Sequence, residues 1–414
     1  MTSIDYIPSL ADLAMKNPVS DSHERELNLF STVACAIAAG YVGALALLFI
    51  RHQWIVDRQG RPIVTDFMEV WVAGRFALSG ASVAAYDWHT HHAAQVALVG
   101  HNFQGVLNWS YPPLFLFVAA LLACLPYTVA FTGWVAATAA GYAATIGAIA
   151  KRWDASLLAC AAPVFFANAI VGQNGFLSAS LIGAVLLFLK HRPILSGVFL
   201  GLLTYKPQLG VLFPLALLLD RNWRALASAA VTSAILIAVS WFAFGTQTFL
   251  AFLRFLPATS QAILTERGED WNKMQSVYAL ARTLGAGDVT AWIAQGATIA
   301  LCVALLVRIW RGEAPFAIKA AFLAAAAMLI TPYLHMYDFA ILAVPLAFLF
   351  RERAFDRLEW AGTIAANLLF IAFAIFPLPV GPVIVAIVLA LILRRATQAA
   401  LRYDNTCVAA LGVG

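Results

Sequence analysis

The sequence predicts an all-α membrane protein, a polytopic bundle of about twelve transmembrane helices with short interfacial helices on an outer loop. Two observations predict this. Of the 414 residues, 62% are hydrophobic and only 11% charged, with a mean hydropathy of +0.82, whereas a soluble domain carries roughly 25% charged residues. The apolar residues also run in blocks that approach the roughly 20 residues needed to cross ~30 Å of hydrocarbon. Barrel strands would instead alternate over segments of about 10 residues.

The blocks place candidate spans at 28–50, 112–126, 128–150, 155–171, 175–190, 194–220, 225–245, 289–309, 315–332, 338–350, 358–376 and 381–395. The implied organisation is a polar cytoplasmic segment 1–27, a membrane domain 28–395 with outer excursions 51–111 and 246–288, and a cytoplasmic tail 396–414. The first apolar block, from Leu27 to Ile50, lacks the basic start and short apolar core of a cleaved leader and reads as a retained anchor. Basic residues in short loops set the orientation. Segments 220–224, 308–319, 351–357 and 394–402 are basic and fall on one side, the cytoplasmic one, which leaves both excursions outside. Lys151-Arg152 and Lys190 to Arg192 then lie outside as well, against that rule; two crossings hinged at Lys206-Pro207 would move them inside but would flip the first excursion.

The net charge of +5 is scattered among loops, which suits interfacial anchoring to a bilayer and not nucleic-acid binding. Five cysteines stand singly with no metal-ligand spacing, so neither a disulfide nor a zinc site is expected. His89, His91 and His92 cluster without a carboxylate or thiol to complete a coordination sphere.

The first excursion holds the candidate chemistry. Phe67, Val70, Trp71, Gly74 and Leu78 recur at helical spacing, with Asp66 and Glu69 off that stripe, as in a helix lying on the membrane surface. A second short helix is expected over His89 to Val99. Asp66 reads first as a reactive carboxylate; Asp66-x-x-Glu69 at a helix start also fits a capping box, which makes an N-cap the rival role, and the two can coexist. Lys206 is embedded between apolar blocks, where a charge is costly unless it pairs or lines a cavity. Gln173 sits in a polar cluster between two spans, and His335 and Asp338 share a helical face at the start of another.

The order of these landmarks is informative: Asp66-Phe67, Ala73-Gly74-Arg75, Tyr86-Asp87, Tyr111-Pro112-Pro113-Leu114, Gly172-Gln173, Lys206-Pro207, then Thr331-Pro332-Tyr333 with Tyr337-Asp338. The chain from roughly 28 to 395 resembles glycosyltransferase family 87 of the GT-C superfamily, polyprenyl-phosphate-mannose-dependent enzymes. The resemblance implies an enzyme of the bacterial inner membrane with its active site facing the extracytoplasmic side. It implies transfer of a hexose, mannose first, from a polyprenyl-phosphate sugar donor to a glycolipid, polysaccharide or protein acceptor. Asp66 matches the expected general base. Such a transfer needs a carboxylate to take the acceptor proton and donors to hold the departing phosphate. Lys206 and Arg75 are the candidates for the phosphate; Glu69, Gln173, His335 and Asp338 are candidates for binding substrate. A monophosphate leaving group carries less charge than a nucleoside diphosphate and no DxD motif is present, so no metal or other cofactor is expected. The rival reading is a transporter or lipid flippase, whose path would use Gln173, Lys206 and Asp338. The absence of self-similar halves disfavours it.

Overall fold

Long apolar blocks in this chain are realised as helix. The computed structural model describes residues 18–103, 105, 107–260, 273–376 and 378–410. Among them the α-helices are α1 (Pro18–Ile50), α2 (Phe67–Leu78), α3 (Trp88–Val99), α4 (Leu116–Ala123), α5 (Tyr127–Ala150), α6 (Trp153–Ala161), α7 (Pro163–Val171), α8 (Gly175–Phe188) and α9 (Pro193–Leu202). They continue with α10 (Leu212–Leu219), α11 (Trp223–Ser260), α12 (Val277–Thr283), α13 (Asp288–Arg311), α14 (Phe316–Leu329), α15 (Ala343–Glu352), α16 (Arg357–Ile375) and α17 (Gly381–Ala410).

Among the described residues five segments are long and apolar enough to cross a membrane: Leu29–Ile50, Tyr127–Ala150, Trp223–Pro257, Asp288–Arg311 and Gly381–Leu401. The pair α6 and α7, bent by 67° at Ala162-Pro163, would make a sixth. The remaining apolar blocks form shorter helices, so the twelve full spans expected from composition are not all realised as long helices. The 194–220 block shows the reason. Pro207 excludes the α conformation at Lys206, whose φ/ψ is −130/71, and the block breaks into helices on either side joined by two 3₁₀ turns.

Short helices are tolerated because they sit inside protein, not against lipid. Residues 317–328 of α14 are buried except Lys319, and most of α8 is buried too. A helix apolar on all sides belongs in an interior. Around this pair α5, α9, α10 and α15 pack one continuous core.

Three expectations need correction. First, the 225–245 block does not end at 245: α11 resumes after Gly245 (φ 77, ψ 163) and runs to Ser260, so residues 246–260 are helical. Glycine tolerates the positive φ there, and the apolar residues that follow rebuild the helix. Second, α17 continues beyond residue 395 to Ala410. Arg394 and Arg395, read as the end of a span, instead fold onto Asp356 and Glu359.

Third, α2 is not a helix with one face in water. Met68, Glu69, Val72, Ala73 and Gly74 are buried, and Leu78 is exposed. One side lies on α4 so closely that a Cβ on Gly74 would stand 2.0 Å from Ala119 O. The other side, through Met68 and Val72, packs on Val99 of α3. Met68 and Val72 form a second apolar stripe that the first one masked in the sequence. The α3 helix forms as expected, its N-terminus capped by Asp87 accepting from Thr90 N at 2.8 Å.

Candidate active site

Asp66 precedes α2 in a helical conformation (φ −60, ψ −28) and its side chain makes no cap hydrogen bond. The capping alternative therefore falls away, and the carboxylate is turned to a different partner. Gln173 Nε2 donates to Asp66 Oδ2 at 3.0 Å.

Local sequence explains how Gln173 arrives there. Asn168 O caps α7 by accepting from Gly172 N, and Gly172 adopts a left-handed φ of 69°. A Cβ on Gly172 would lie 2.8 Å from Phe67 Cβ and 2.9 Å from the Phe131 ring. Only glycine allows the turn to press against Phe67, and that pressure sets Gln173 beside Asp66. The amide orientation is fixed by its other end: Gln173 Oε1 accepts from Asn174 N at 3.1 Å and from Tyr111 Oη at 3.4 Å. With the oxygen occupied, the NH₂ group is what faces the carboxylate. Asn174 Nδ2 donates to Tyr111 Oη at 2.7 Å, which closes the polar cluster.

The late motif supplies the opposite wall. Lys206 Nζ pairs with Asp338 Oδ1 at 2.8 Å, with only 5% and 4% of the two side chains exposed. The same ammonium sits 4.6 Å above the Tyr337 ring. Asp338 Oδ2 accepts from His335 N at 3.2 Å, which folds the His335–Asp338 turn. His335 Nδ1 lies 3.1 Å from Tyr333 O, so Nδ1 carries the proton in that contact, and the ring stacks on Tyr337. Asn168 ties this wall to the first, donating to Tyr337 O at 2.8 Å and accepting from Gly175 N at 3.1 Å.

Burial pushes the Asp66 carboxyl above its ordinary range, and the Gln173 amide and the charges of His335 and Lys273 offset this only in part. Lys273 is held near by the strand-like pairing of Met274 with His335, supported by Gln275 N donating to Leu334 O at 2.7 Å. Of the charged stretch Glu266 to Lys273, residues 266–272 lie outside the described residues.

Asp66, Gln173, Lys206, His335 and Asp338 thus gather around one region. Glu69, one turn beyond Asp66, is buried (7% exposed) and within electrostatic range of Tyr111 and Tyr337, not on a solvated face. Arg75 does not join them: it is exposed at the far end of α2, its guanidinium 5.6 Å from the Trp71 ring centre. The sequence reading missed Asn168, Asn174, Tyr337 and Lys273 as members of the site. Asn168 carried a usable signal, being a polar side chain inside an apolar block. Lys273 stood out only as part of the charged stretch of the second excursion; its place beside Asp66 depends on pairing across more than 60 residues.

Chemically, the arrangement offers a carboxylate of raised proton affinity, an amide that fixes its orientation, and a lysine and an imidazole within its electrostatic reach. It can take a proton from a hydroxyl and hold an anion close by.

A family model described as Glycosyltransferase family 87 matches residues 109–332. That range contains Tyr111, Gln173, Lys206 and Lys273; Asp66, His335 and Asp338 lie outside it. No curated protein and no solved structure matches the chain.

Proposed function

Because the chain belongs to glycosyltransferase family 87 and is a membrane glycosyltransferase, we propose that it moves a hexose, mannose by resemblance, from a polyprenyl phosphate to an acceptor hydroxyl. The transfer would take place at the extracytoplasmic face of a bacterial inner membrane. The observation that carries this reading is the Asp66 carboxylate: it caps no helix, accepts from Gln173, and is made more basic by burial.

In this mechanism the acceptor oxygen attacks the anomeric carbon as its proton passes to Asp66. The bond from that carbon to the phosphate oxygen breaks, and polyprenyl phosphate leaves with the electron pair. Attack opposite the leaving group inverts the anomeric centre. Lys206 was expected on the phosphate, but its charge is committed to Asp338 at 2.8 Å. We therefore assign the pair to positioning the His335–Asp338 turn, and assign Lys273 and His335 to the departing phosphate. Gln173 holds Asp66 in register, and Glu69 supports the same wall through its neighbourhood with Tyr111 and Tyr337.

The test is transfer of labelled mannose from a polyprenyl phosphate by the purified protein in nanodiscs, supplied with membrane glycolipid and protein acceptors. Asp66→Asn is expected to lower the rate by about 10²- to 10⁴-fold, the usual weight of a general base. Undiminished transfer by this variant would refute the base assignment.

A further inference from the structure

An apolar cavity starts at Phe339, the residue after Asp338, and follows the 3₁₀ turn Met336–Leu342 and α15 to Phe350, about 20 Å further on by the rise of those elements. Its volume is about 470 Å³, and its walls come from α1, α5, α6, α7, α15, α16 and α17. The walls are almost wholly apolar. Tyr41 and Asn367, two of the polar side chains on them, are satisfied by backbone oxygens, Ala161 O at 3.2 Å and Thr363 O at 2.8 Å. Tyr142 Oη, buried in the lining, has no partner among the described residues. Water gains little in such a space, and an apolar chain fits it. Lining residues of α1 (Val33, Ile37) and of α16 (Ile364, Leu368, Ile371) are exposed, so the cavity is reachable sideways from the bilayer along these helices.

The end of the cavity formed by Phe350, Phe355 and Trp360 is ringed by arginines. The Arg152 guanidinium lies 5.8 Å from the Phe350 ring centre, and that of Arg395 lies 5.6 Å from the Phe355 ring centre, so Arg152 shares an end of the bundle with segments 351–357 and 394–402 and not the opposite side that the span count gave it. Arg353 and Arg394 stand beside them, with about a third of each side chain exposed. The ring's charge is only partly cancelled. Arg395 is consumed by Glu359, at 2.5 and 2.7 Å, and by Leu349 O and Arg353 O. Arg394 pairs with Asp356 at 2.7 Å and Arg152 with Asp154 at 2.9 Å, while Arg353 reaches its acids only at 3.4 Å. Against the four arginines stand Asp154, Asp356 and Glu359, so one cation is in excess and several N–H donors face outward.

We propose that this cleft is a binding site for an anionic glycerophospholipid, one acyl chain filling the apolar cavity and the headgroup phosphate lying among Arg152, Arg353 and Arg394. The forked guanidinium groups match phosphate geometry, and basic pockets between membrane helices are suited to anionic headgroups. The apolar walls select a lipid chain over a free phosphate, and the arginine ring selects an anionic headgroup over a zwitterionic one. The site is independent of the sugar-transfer reading. It buttresses α1, whose Phe30 stacks on Trp360 at 4.3 Å beside the cavity.

The test uses the full chain in detergent with phosphatidylglycerol or phosphatidylcholine added, read by native mass spectrometry. Retained phosphatidylglycerol is expected, falling about five-fold for Arg152→Gln or Arg353→Gln and more for the double variant. As a check that needs no variant, phosphatidylglycerol carrying a photoreactive acyl chain should label α1 and α16 at residues lining the cavity. Equal retention of the two lipids, retention untouched by both substitutions, or labelling spread over unrelated helices would overturn the proposal.

Discussion

Gln173 and Asp66, 107 residues apart in the chain, meet at 3.0 Å with the amide nitrogen donating to the carboxylate. Because Tyr111 and Asn174 occupy the amide oxygen, the interaction has one polarity only. Replacing Gln173 by Glu sets a second acid against Asp66. Like charges at that separation raise the proton affinity of the pair, so the acid limb of the transfer rate should move to higher pH. Rate–pH profiles of the two proteins measure this, and superimposable limbs would count against Asp66 as the base.

The same carboxylate sets a pH dependence in the wild type. Burial raises its proton affinity, so it stays protonated at pH values where an ordinary aspartate has ionised. A base must be ionised to act, and activity should therefore fall on the acid side at a higher pH than an exposed aspartate would give. Stability carries the opposite sign. Between the ordinary carboxylate range and the raised value, the folded chain holds a proton that the unfolded chain lacks, so stability declines as pH rises through that window. Asp66→Asn removes this penalty, since Asn can still accept from Gln173. It should melt no lower than wild type above the window while losing transfer; a clear drop in melting temperature would argue for a structural role.

Breaking the Lys206–Asp338 pair from one side leaves a buried charge without a partner. Lys206→Met or Asp338→Asn alone should cost about 3–5 kcal/mol. The double variant should melt closer to wild type than either single one, and detergent melts of all four proteins complete the cycle. Additive losses would show that the two charges do not depend on each other.

Gly74 is the contact point of α2 on α4. Even the methyl of Gly74→Ala would fall 2.0 Å from Ala119 O, so the helices must part or the substitution costs about 1–3 kcal/mol. Because α2 begins next to Asp66, displacement of the helix should also depress transfer. A fully active, equally stable Ala variant would show that the two helices pack less tightly than described.

Membrane character, the α2–α3 loop and the polar residues of the site were legible in the sequence because each breaks a local pattern. A lysine in an apolar block, an acid at a helix start and a Gln after a Gly stand out from their neighbours. What could not be read was which of them meet. The Asp66 capping box looked sound by spacing, yet the side chain turns to Gln173, a choice made by the α7–α8 turn more than 100 residues away. Glu69 and Arg75 are six residues apart on one helix, about 240° around its axis, so the first faces the interior and the second solvent. Helix lengths were misjudged where a proline or glycine acted: Pro207 cut one block in two, whereas Gly245 only bent another.

The Lys206–Asp338 contact also bears on how the chain is made. Lys206 emerges from the ribosome 132 residues before its partner, and neither charge is at ease in hydrocarbon alone. Until the later segment is inserted, the nascent protein must keep that lysine in the translocation channel, at the interface or among waters. Chains interrupted between the two positions would therefore be left with an ammonium that nothing neutralises, a mark by which a cell's quality-control proteases could tell them from the finished protein.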